Sequence, residues 1–243
     1  MSNDQSDGGG MGGLELTPKV YRRMSNADLL IEGLADGEKA TVAMKKLDDG
    51  QRKVLANRLL NSMFRQIFLD GFFHADPTEA NVFVKAGKNP TFTFIDWGLH
   101  GKISLKQRYK LLKLVGAIAA NKPDMVLQTL KQLDTKATST EKLDPIVKRL
   151  MGWNAPLGAK LQQIIIDSQK VGLRVPHAVT LVSKSLFQAE GLAQQIHRDA
   201  KTPQLSSLKQ EAMRYPGRRI KGFFLNIADR FKIRRPRQRL RRR

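Results

Sequence analysis

Two stretches of the sequence decide how this chain folds: GFFHADPTEAN at residues 71–81 and TFIDWG at residues 93–98. Between them, short apolar runs at Val82–Val84 and Thr91–Ile95 predict two strands joined by a turn at Gly87–Pro90. The polar residues of the first stretch therefore form a loop that enters a β-hairpin. Those of the second stretch sit just past the strand that leaves it.

The sequence on both sides of this hairpin predicts helices. Apolar residues recur at three- and four-residue steps over Gln51–Leu69, and Gly71 is well placed to end that helix. Ser104 and Gln107 have the spacing of a capping box, which predicts that a longer helical region begins there. This region is expected to hold helices over residues 105–120, 123–133, 145 onward, 161–169 and 176–195.

Two further segments complete the predicted fold. Asp144 and Pro145 are interpreted as the N-cap and first residue of a helix, because proline is favoured at that position. Leu29–Glu32 is a short apolar run before Gly33, and it predicts a strand that leads into a turn. The predicted fold class is therefore mainly α with a small β-hairpin region.

The chain divides into three parts by composition. Residues 1–20 are rich in glycine, serine and aspartate, and we expect disorder there because they bury too little to offset the entropy of ordering. Residues 21–205 are expected to form the folded unit. Residues 206–243 form a basic, amphipathic tail.

Composition limits the function classes that this chain can serve. Of its 243 residues 41% are hydrophobic, and its formal charge of +21 favours a polyanionic partner, either nucleic acid or an anionic membrane. The lack of cysteine excludes disulfides and thiolate metal sites. No apolar run reaches the roughly 18 residues of a membrane span, and the N-terminus has no signal-peptide core. We expect a cytoplasmic protein that contacts a membrane peripherally.

The basic charge is concentrated in residues 214–243, where 13 Lys and Arg residues accompany one acid and supply +12 of the +21. Phe223, Phe224 and Phe231 lie at helical spacing among these cations, a pattern typical of an amphipathic helix at an anionic membrane surface. Two alternatives stay open. The aromatic side chains would dock on the folded unit while the arginines are solvated, or the tail would bind nucleic acid, which is less favoured.

Asp76, Asn81 and Asp96 follow one another in the order that kinase active sites use. In such a site one carboxylate approaches or orients a hydroxyl, while an asparagine oxygen and a second carboxylate hold magnesium ions on the ATP phosphates. We therefore assign Asp76 to catalysis, and Asn81 and Asp96 to Mg2+ and ATP binding. The alternative is that all three are ordinary turn residues and that no site exists.

These motifs resemble the AarF/UbiB family of atypical kinases, whose loop reads Phe-His-Ala-Asp-Pro-His-Pro-Gly-Asn and is followed by Asp-Phe-Gly and a further glycine. This chain has FHADP at residues 73–77, then Asn81, DWG at residues 96–98, and Gly101. The resemblance covers about residues 25–200. It implies a kinase-like C-terminal lobe that acts as a phosphotransferase or ATPase with Mg2+ and ATP. It also implies a link to isoprenoid-quinone metabolism at a membrane.

Other segments also resemble this family. Leu30–Glu32 is similar to the hinge strand between the two kinase lobes, and residues 182–193 are similar to a late family helix. By the same resemblance His74, two residues before Asp76, joins the predicted catalytic loop. We expect His74 to brace that loop rather than carry out chemistry.

The chain also departs from the family pattern. Thr78–Ala80 replaces His-Pro-Gly, Trp97 replaces Phe, and we expect the additional carboxylate of Glu79 to point to solvent. The strand lysine, its glutamate partner and the nucleotide loop of the N-lobe are not found in this sequence, so ATP binding by the chain alone is expected to be weak. Either another chain supplies the N-lobe, or the protein is a non-catalytic pseudokinase scaffold or a polyanion-binding regulatory protein.

Overall fold

A computed structural model of the chain describes residues 15–136, 138–200 and 203. Within these residues the fold is mainly helical with two small sheets, as the sequence predicts. The α-helices are α1 Ala40–Ala43, α2 Asp49–Arg65, α3 Leu105–Ala119, α4 Pro123–Leu133, α5 Thr140–Met151, α6 Leu157–Lys170 and α7 His177–Ile196. The strands are β1 Glu15–Leu16, β2 Glu38–Lys39, β3 Phe72–His74, β4 Val82–Lys85, β5 Thr91–Phe94 and β6 His100–Lys102.

Helix α2 leads into the first polar loop, and local chemistry sets both of its ends. Asp48 and Gln51 exchange side-chain and backbone hydrogen bonds in a capping box that starts the helix. A π-helical turn over Gln66–Asp70 follows the helix, and Gly71 ends it with a φ of 72°. A Cβ atom at Gly71 would lie 2.8 Å from the guanidinium carbon of Arg108, so the predicted helix stop at this glycine is confirmed.

Strands β4 and β5 form the predicted hairpin, but the sheet extends beyond it. Its strand order is β1-β5-β4-β2, with β1 parallel to β5 and the other neighbours antiparallel. Val82 pairs with Phe94, and Ile95 N–H donates to the Asn81 carbonyl at 3.0 Å. Strands β3 and β6 form a second, antiparallel sheet. The two polar stretches therefore reach the same end of the hairpin.

An apolar core joins α2, α7 and the larger sheet. Every full burial of a side chain such as leucine or phenylalanine contributes about 1.5–3 kcal/mol, so these contacts hold α7 firmly against the hairpin. The larger buried members are Leu55, Leu59, Leu60 and Met63 of α2, Val82, Val84, Phe92 and Phe94 of the sheet, and Leu192 and Ile196 of α7.

Helix α5 begins at Thr140, so the prediction that Asp144 caps this helix is wrong. Asp144 instead forms an ion pair with a lysine one turn later, and Pro145 lies inside the helix. Leu143 and Val147 are buried on one side of the helix. Packing of this apolar face therefore extends the helix ahead of the proline. Helices α3, α4 and α7 lie where the sequence predicts, and α6 begins one turn earlier than predicted.

The segment Leu29–Glu32 does not form the strand that its composition predicts. Its backbone-to-backbone contacts in the described part of the chain are a bridge between Val20 and Glu32 and bonds to the Ile31 and Leu29 carbonyls from the N–H groups of Tyr21 and Asn26. Leu29 and Leu30 are 53% and 64% exposed, so these two residues do not pack into a core.

Regular structure begins inside the region that the sequence predicts to be disordered, because Glu15–Leu16 pair with β5. Residues 1–14 and the tail at residues 206–243 lie outside the described residues, and the predictions made for them stay predictions. Among residues 15–136 and 138–200, no helix combines the length and apolar character needed to cross a bilayer.

Candidate active site

Asp76 and Asn81 lie in the loop between β3 and β4, and hydrogen bonds join them. Thr78 N–H donates to the Asp76 carbonyl at 2.8 Å, and Asn81 N–H donates to the Thr78 carbonyl at 3.0 Å, so the loop makes two successive turns. The side-chain Nδ2 of Asn81 donates to the Asp76 carbonyl at 3.0 Å and to Asp76 Oδ2 at 3.2 Å. Two of the predicted site residues are therefore in direct contact.

These contacts determine the orientation of the Asn81 amide. Both partners on Asp76 are acceptors, so the amide nitrogen must face Asp76 and the amide oxygen must face away. In the part of the chain that the structure describes, no protein donor bonds that oxygen. Amide oxygens are hard ligands that suit magnesium, so Asn81 is oriented as a metal ligand requires.

Asp96 lies beside Asn81, because the residue before it bonds the Asn81 carbonyl. Asp96 has a φ of 53°, a left-handed conformation that is uncommon outside glycine and that Asp and Asn adopt most readily. Its side chain is exposed, and Oδ1 accepts a hydrogen bond from Gly98 N–H at 3.2 Å. Unusual backbone conformations of this kind cluster at functional sites, where the surrounding structure maintains them.

A metal ion at Asn81 and Asp96 would need further oxygen ligands. Among residues 15–136 and 138–200, no group of three or more His, Cys, Asp or Glu side chains could hold a metal ion. Magnesium is commonly bound by one or two protein side chains and completes its octahedron with water and phosphate oxygens. The two side chains therefore fit magnesium bound together with a nucleotide rather than a metal held by protein ligands alone.

Helix α7 contributes two side chains to the Asp76 carboxylate. Lys184 Nζ lies 3.2 Å from Asp76 Oδ1, and Gln188 Nε2 donates to the same oxygen at 2.8 Å. Burial raises the pKa of Asp76, but the hydrogen bonds from Gln188 and Lys184 outweigh that effect and hold the pKa below its usual range. Sequence reasoning gave neither residue a role. Their four-residue spacing on one helix face was the available signal.

His74 is fully buried and joins β3 to the end of β5. Its Nδ1 accepts from the Asp76 N–H at 3.2 Å, and its Nε2 lies 2.9 Å from the Ile95 carbonyl. Since a carbonyl can only accept, Nε2 carries the proton and the ring is neutral. Burial lowers the pKa of His74, and the hydrogen bond to Ile95 only partly opposes that effect. Both ring nitrogens therefore serve the structure, an arrangement that suits a brace.

The backbone of His74 is held as firmly as its ring. Its N–H donates to Gln66 Oε1 at 2.9 Å, and its carbonyl accepts from Ser185 Oγ at 2.8 Å. Gln66 lies in the π-helical turn after α2, and Ser185 lies on α7. Sequence reasoning gave no role to Gln66 or Ser185, although together they anchor β3 between two helices.

Trp97 packs the turn of Asp96 onto neighbouring rings. Its centroid lies 5.5 Å from that of Phe72, 4.9 Å from that of His74 and 6.1 Å from that of Phe94. Aromatic pairs at these separations are stabilising, so the tryptophan anchors the turn with a larger apolar surface than a phenylalanine offers.

Glu79 points to solvent, as the sequence analysis expected. Its side chain is exposed, while Asp76 is partly buried beneath α7. The additional carboxylate therefore does not crowd the oxygens of Asp76 and Asn81.

This chain is similar to a known domain family and to individual known proteins. Residues 15–130 match the ABC1 atypical kinase-like domain. A probable protein kinase UbiB of Pseudomonas putida is 26% identical over 202 residues, which cover 76% of this chain and 37% of the relative. An uncharacterized protein from the hydrogenase 1 5' region of Clostridium pasteurianum is 24% identical over 200 residues, with 78% of this chain and 36% of the relative covered. The chain thus spans little more than a third of the length of these relatives.

Proposed function

The chain belongs to the ABC1 atypical kinase-like family, and from that premise we propose that it forms the ATP-handling C-terminal lobe of a phosphotransferase or ATPase. One observation carries the proposal. Asn81 is bonded to Asp76 through its side chain and to the residue before Asp96 through its backbone, so the three residues lie at one end of the hairpin. The side-chain bond between Asn81 and Asp76 is what favours a site over unrelated turn residues.

In this proposal Asp76 orients the acceptor hydroxyl. Its Oδ1 is bonded by two side chains of α7, and its Oδ2 accepts one bond from Asn81. A carboxylate oxygen has two lone pairs, so Oδ2 retains room for one further donor. Because the pKa of Asp76 is held below its usual range, the carboxylate is ionised at neutral pH, which makes Oδ2 a strong acceptor for a hydroxyl.

Asn81 and Asp96 are the residues that would hold Mg2+. The amide oxygen of Asn81 is turned away from Asp76, and the carboxylate of Asp96 is exposed at the same end of the hairpin. When bound, the ion neutralises charge on the phosphate oxygens. Both side chains are already oriented by protein hydrogen bonds, so they need little rearrangement to receive it.

We further propose that the elements that grip the nucleotide come from a preceding segment or from a second chain. The relatives are nearly three times as long as the stretch matched here. Large apolar side chains near the hinge-like segment are exposed as well, and such patches mark surfaces that a further unit covers. They are Val20, Tyr21, Met24, Leu29, Leu30 and Leu34.

Calorimetric titration with Mg-ATP tests the proposal. We expect the wild-type chain to bind weakly, and the Asp96→Asn variant to bind at least about tenfold more weakly, because a metal ligand has lost its charge. Asp124→Asn is the matched control, since Asp124 is an exposed carboxylate on α4. Equal affinities of wild type and Asp96→Asn would contradict the assignment of Asp96. An absence of binding at millimolar nucleotide would favour the non-catalytic scaffold.

Family resemblance also supports a proposed link to isoprenoid-quinone metabolism at a membrane surface, with residues 214–243 as the contact. Flotation with liposomes that contain anionic lipid tests the contact. We expect a variant without residues 214–243 to lose binding at physiological salt. Undiminished flotation of this variant would refute the tail as anchor, and binding to RNA in preference to liposomes would favour the nucleic-acid alternative.

A further inference from the structure

One face of helix α7 carries three polar residues that all reach the catalytic loop. Lys184 and Gln188 contact Asp76 Oδ1, and Ser185 donates to the His74 carbonyl. The three contacts join residues 108 to 112 positions apart in sequence. Residues at positions i, i+1 and i+4 share one side of a helix, so α7 presents a single polar edge to the loop.

The hydrogen bonds of Gln188 do not by themselves explain why an amide side chain occupies this position. Its amide nitrogen donates to Asp76 at 2.8 Å, while its amide oxygen is buried without a partner in the described residues. A buried acceptor without a partner costs about 1–3 kcal/mol relative to a satisfied one, and an apolar side chain would avoid that cost. Unfavourable local interactions of this kind are expected at residues that contribute to a functional site.

Lys184 brings a positive charge to the same oxygen. Its side chain is 41% exposed and that of Asp76 is 31% exposed, so solvent screens the pair and the bond adds little to stability. Its effect is on the orientation of the carboxylate, because Lys184 and Gln188 meet the same oxygen from one helix face. The other groups that face Asp76 are the neutral ring of His74 and the amide of Asn81.

We propose that Lys184 and Gln188 are positioning residues of Asp76, which hold its Oδ1 on α7 and leave Oδ2 as the oxygen that faces the acceptor. Helix α7 would then set the orientation of the catalytic carboxylate. The catalytic meaning of this inference rests on the proposed function, but the contacts themselves do not.

The nuclear magnetic resonance signal of the Asn81 side-chain amide, which donates to Asp76 Oδ2, tests the inference at pH 7 without nucleotide, with Asn81→Asp used for assignment. Lys184→Met and Gln188→Leu should each shift this signal, because a carboxylate that loses a partner on Oδ1 no longer presents Oδ2 to Asn81 in the same orientation. Lys184→Arg, which keeps a charged donor, should keep the wild-type signal. Lys131→Met is the matched control, because it removes the same charge from an exposed position on α4.

The outcomes separate this inference from the proposed function. Folded Lys184→Met and Gln188→Leu variants with an unchanged Asn81 amide signal would overturn the inference, and so would a shift of equal size in Lys131→Met. If the shifts appear but wild-type protein supplied with its nucleotide-gripping partner hydrolyses no Mg-ATP, the inference stands and the proposed function fails. Where hydrolysis is measurable, Lys184→Met should lower kcat several-fold with KM little changed.

Discussion

His74 Nε2 donates to the Ile95 carbonyl at 2.9 Å, and this bond ties the residue two positions before Asp76 to the residue one position before Asp96. A single buried imidazole therefore holds both predicted carboxylates in one frame. Because its other nitrogen accepts from Asp76 N–H, the ring has to stay neutral to keep both bonds.

Replacing His74 with Gln is expected to lower the free energy of unfolding at pH 7 by about 1–3 kcal/mol, because buried partners lose their bonds. The pKa of His74 in the folded state lies below the 6.5 of a free imidazole. As the pH falls below 6.5 the unfolded chain takes up a proton that the folded chain does not, so the stability of wild type falls. Urea unfolding measures this, and between pH 7.5 and 5.5 the free energy of unfolding should fall less for His74→Gln than for wild type. Equal losses would contradict the neutral ring.

Replacing Asn81 with Asp places a second carboxylate against Asp76 Oδ2, where the amide now donates at 3.2 Å. We expect an apparent pKa of this carboxyl pair that is higher than that of Asp76 in wild type, and a lower melting temperature at pH 7, because two like charges repel. Millimolar MgCl2 should raise the melting temperature of this variant more than that of wild type. NaCl at equal ionic strength is the control, and an equal response to both salts would speak against a cation site.

Two glycines offer a matched pair of stability measurements. A Cβ atom at Gly101 would lie 2.2 Å from the ring of Phe73, whereas one at Gly191 on α7 meets nothing within 4 Å. Gly101→Ala should therefore lower the free energy of unfolding by about 1–3 kcal/mol through overpacking. Gly191→Ala should raise it by about 0.5–1 kcal/mol, because alanine is the better helix former. Chemical denaturation measures both changes. Similar changes in the free energy of unfolding at the two sites would show that the ring of Phe73 moves to make room for the Cβ atom.

Acid stability should depend on Asp134, which accepts bonds from the backbone N–H groups of Lys136, Thr138 and Arg174. Burial raises the pKa of Asp134, but hydrogen bonds from the Thr138 side chain and from these backbone groups outweigh it and lower the pKa to about 2. Its contribution is therefore present above pH 3.8 and is lost as the pH falls toward 2. Asp134→Asn should have a lower free energy of unfolding than wild type at pH 5. That free energy should fall less for the variant than for wild type between pH 5 and pH 2.5. The control is Asp124→Asn, and the same acid profile in both variants would refute this role.

Local patterns predicted much of the fold. The capping box at Ser104 and Gln107, the helix stop at Gly71 and the pairing of β4 with β5 each depend on neighbouring residues, and each was confirmed. The errors fall where packing competes with local preference. Burial of Leu143 and Val147 makes α5 begin before Pro145. Leu30 stays exposed although the composition of its segment favours a strand.

The sequence by itself determined the order and spacing of Asp76, Asn81 and Asp96, because a loop, a short hairpin and a turn bring these residues together over only 20 positions. The tertiary structure alone decided which distant groups hold Asp76 and the backbone of His74. Lys184, Ser185 and Gln188 reach the loop from more than 100 residues away, and periodicity reports only that they share a helix face. Which loop that face meets depends on the packing of α7 against α2 and the sheet, and this follows from the shape and burial of the whole core.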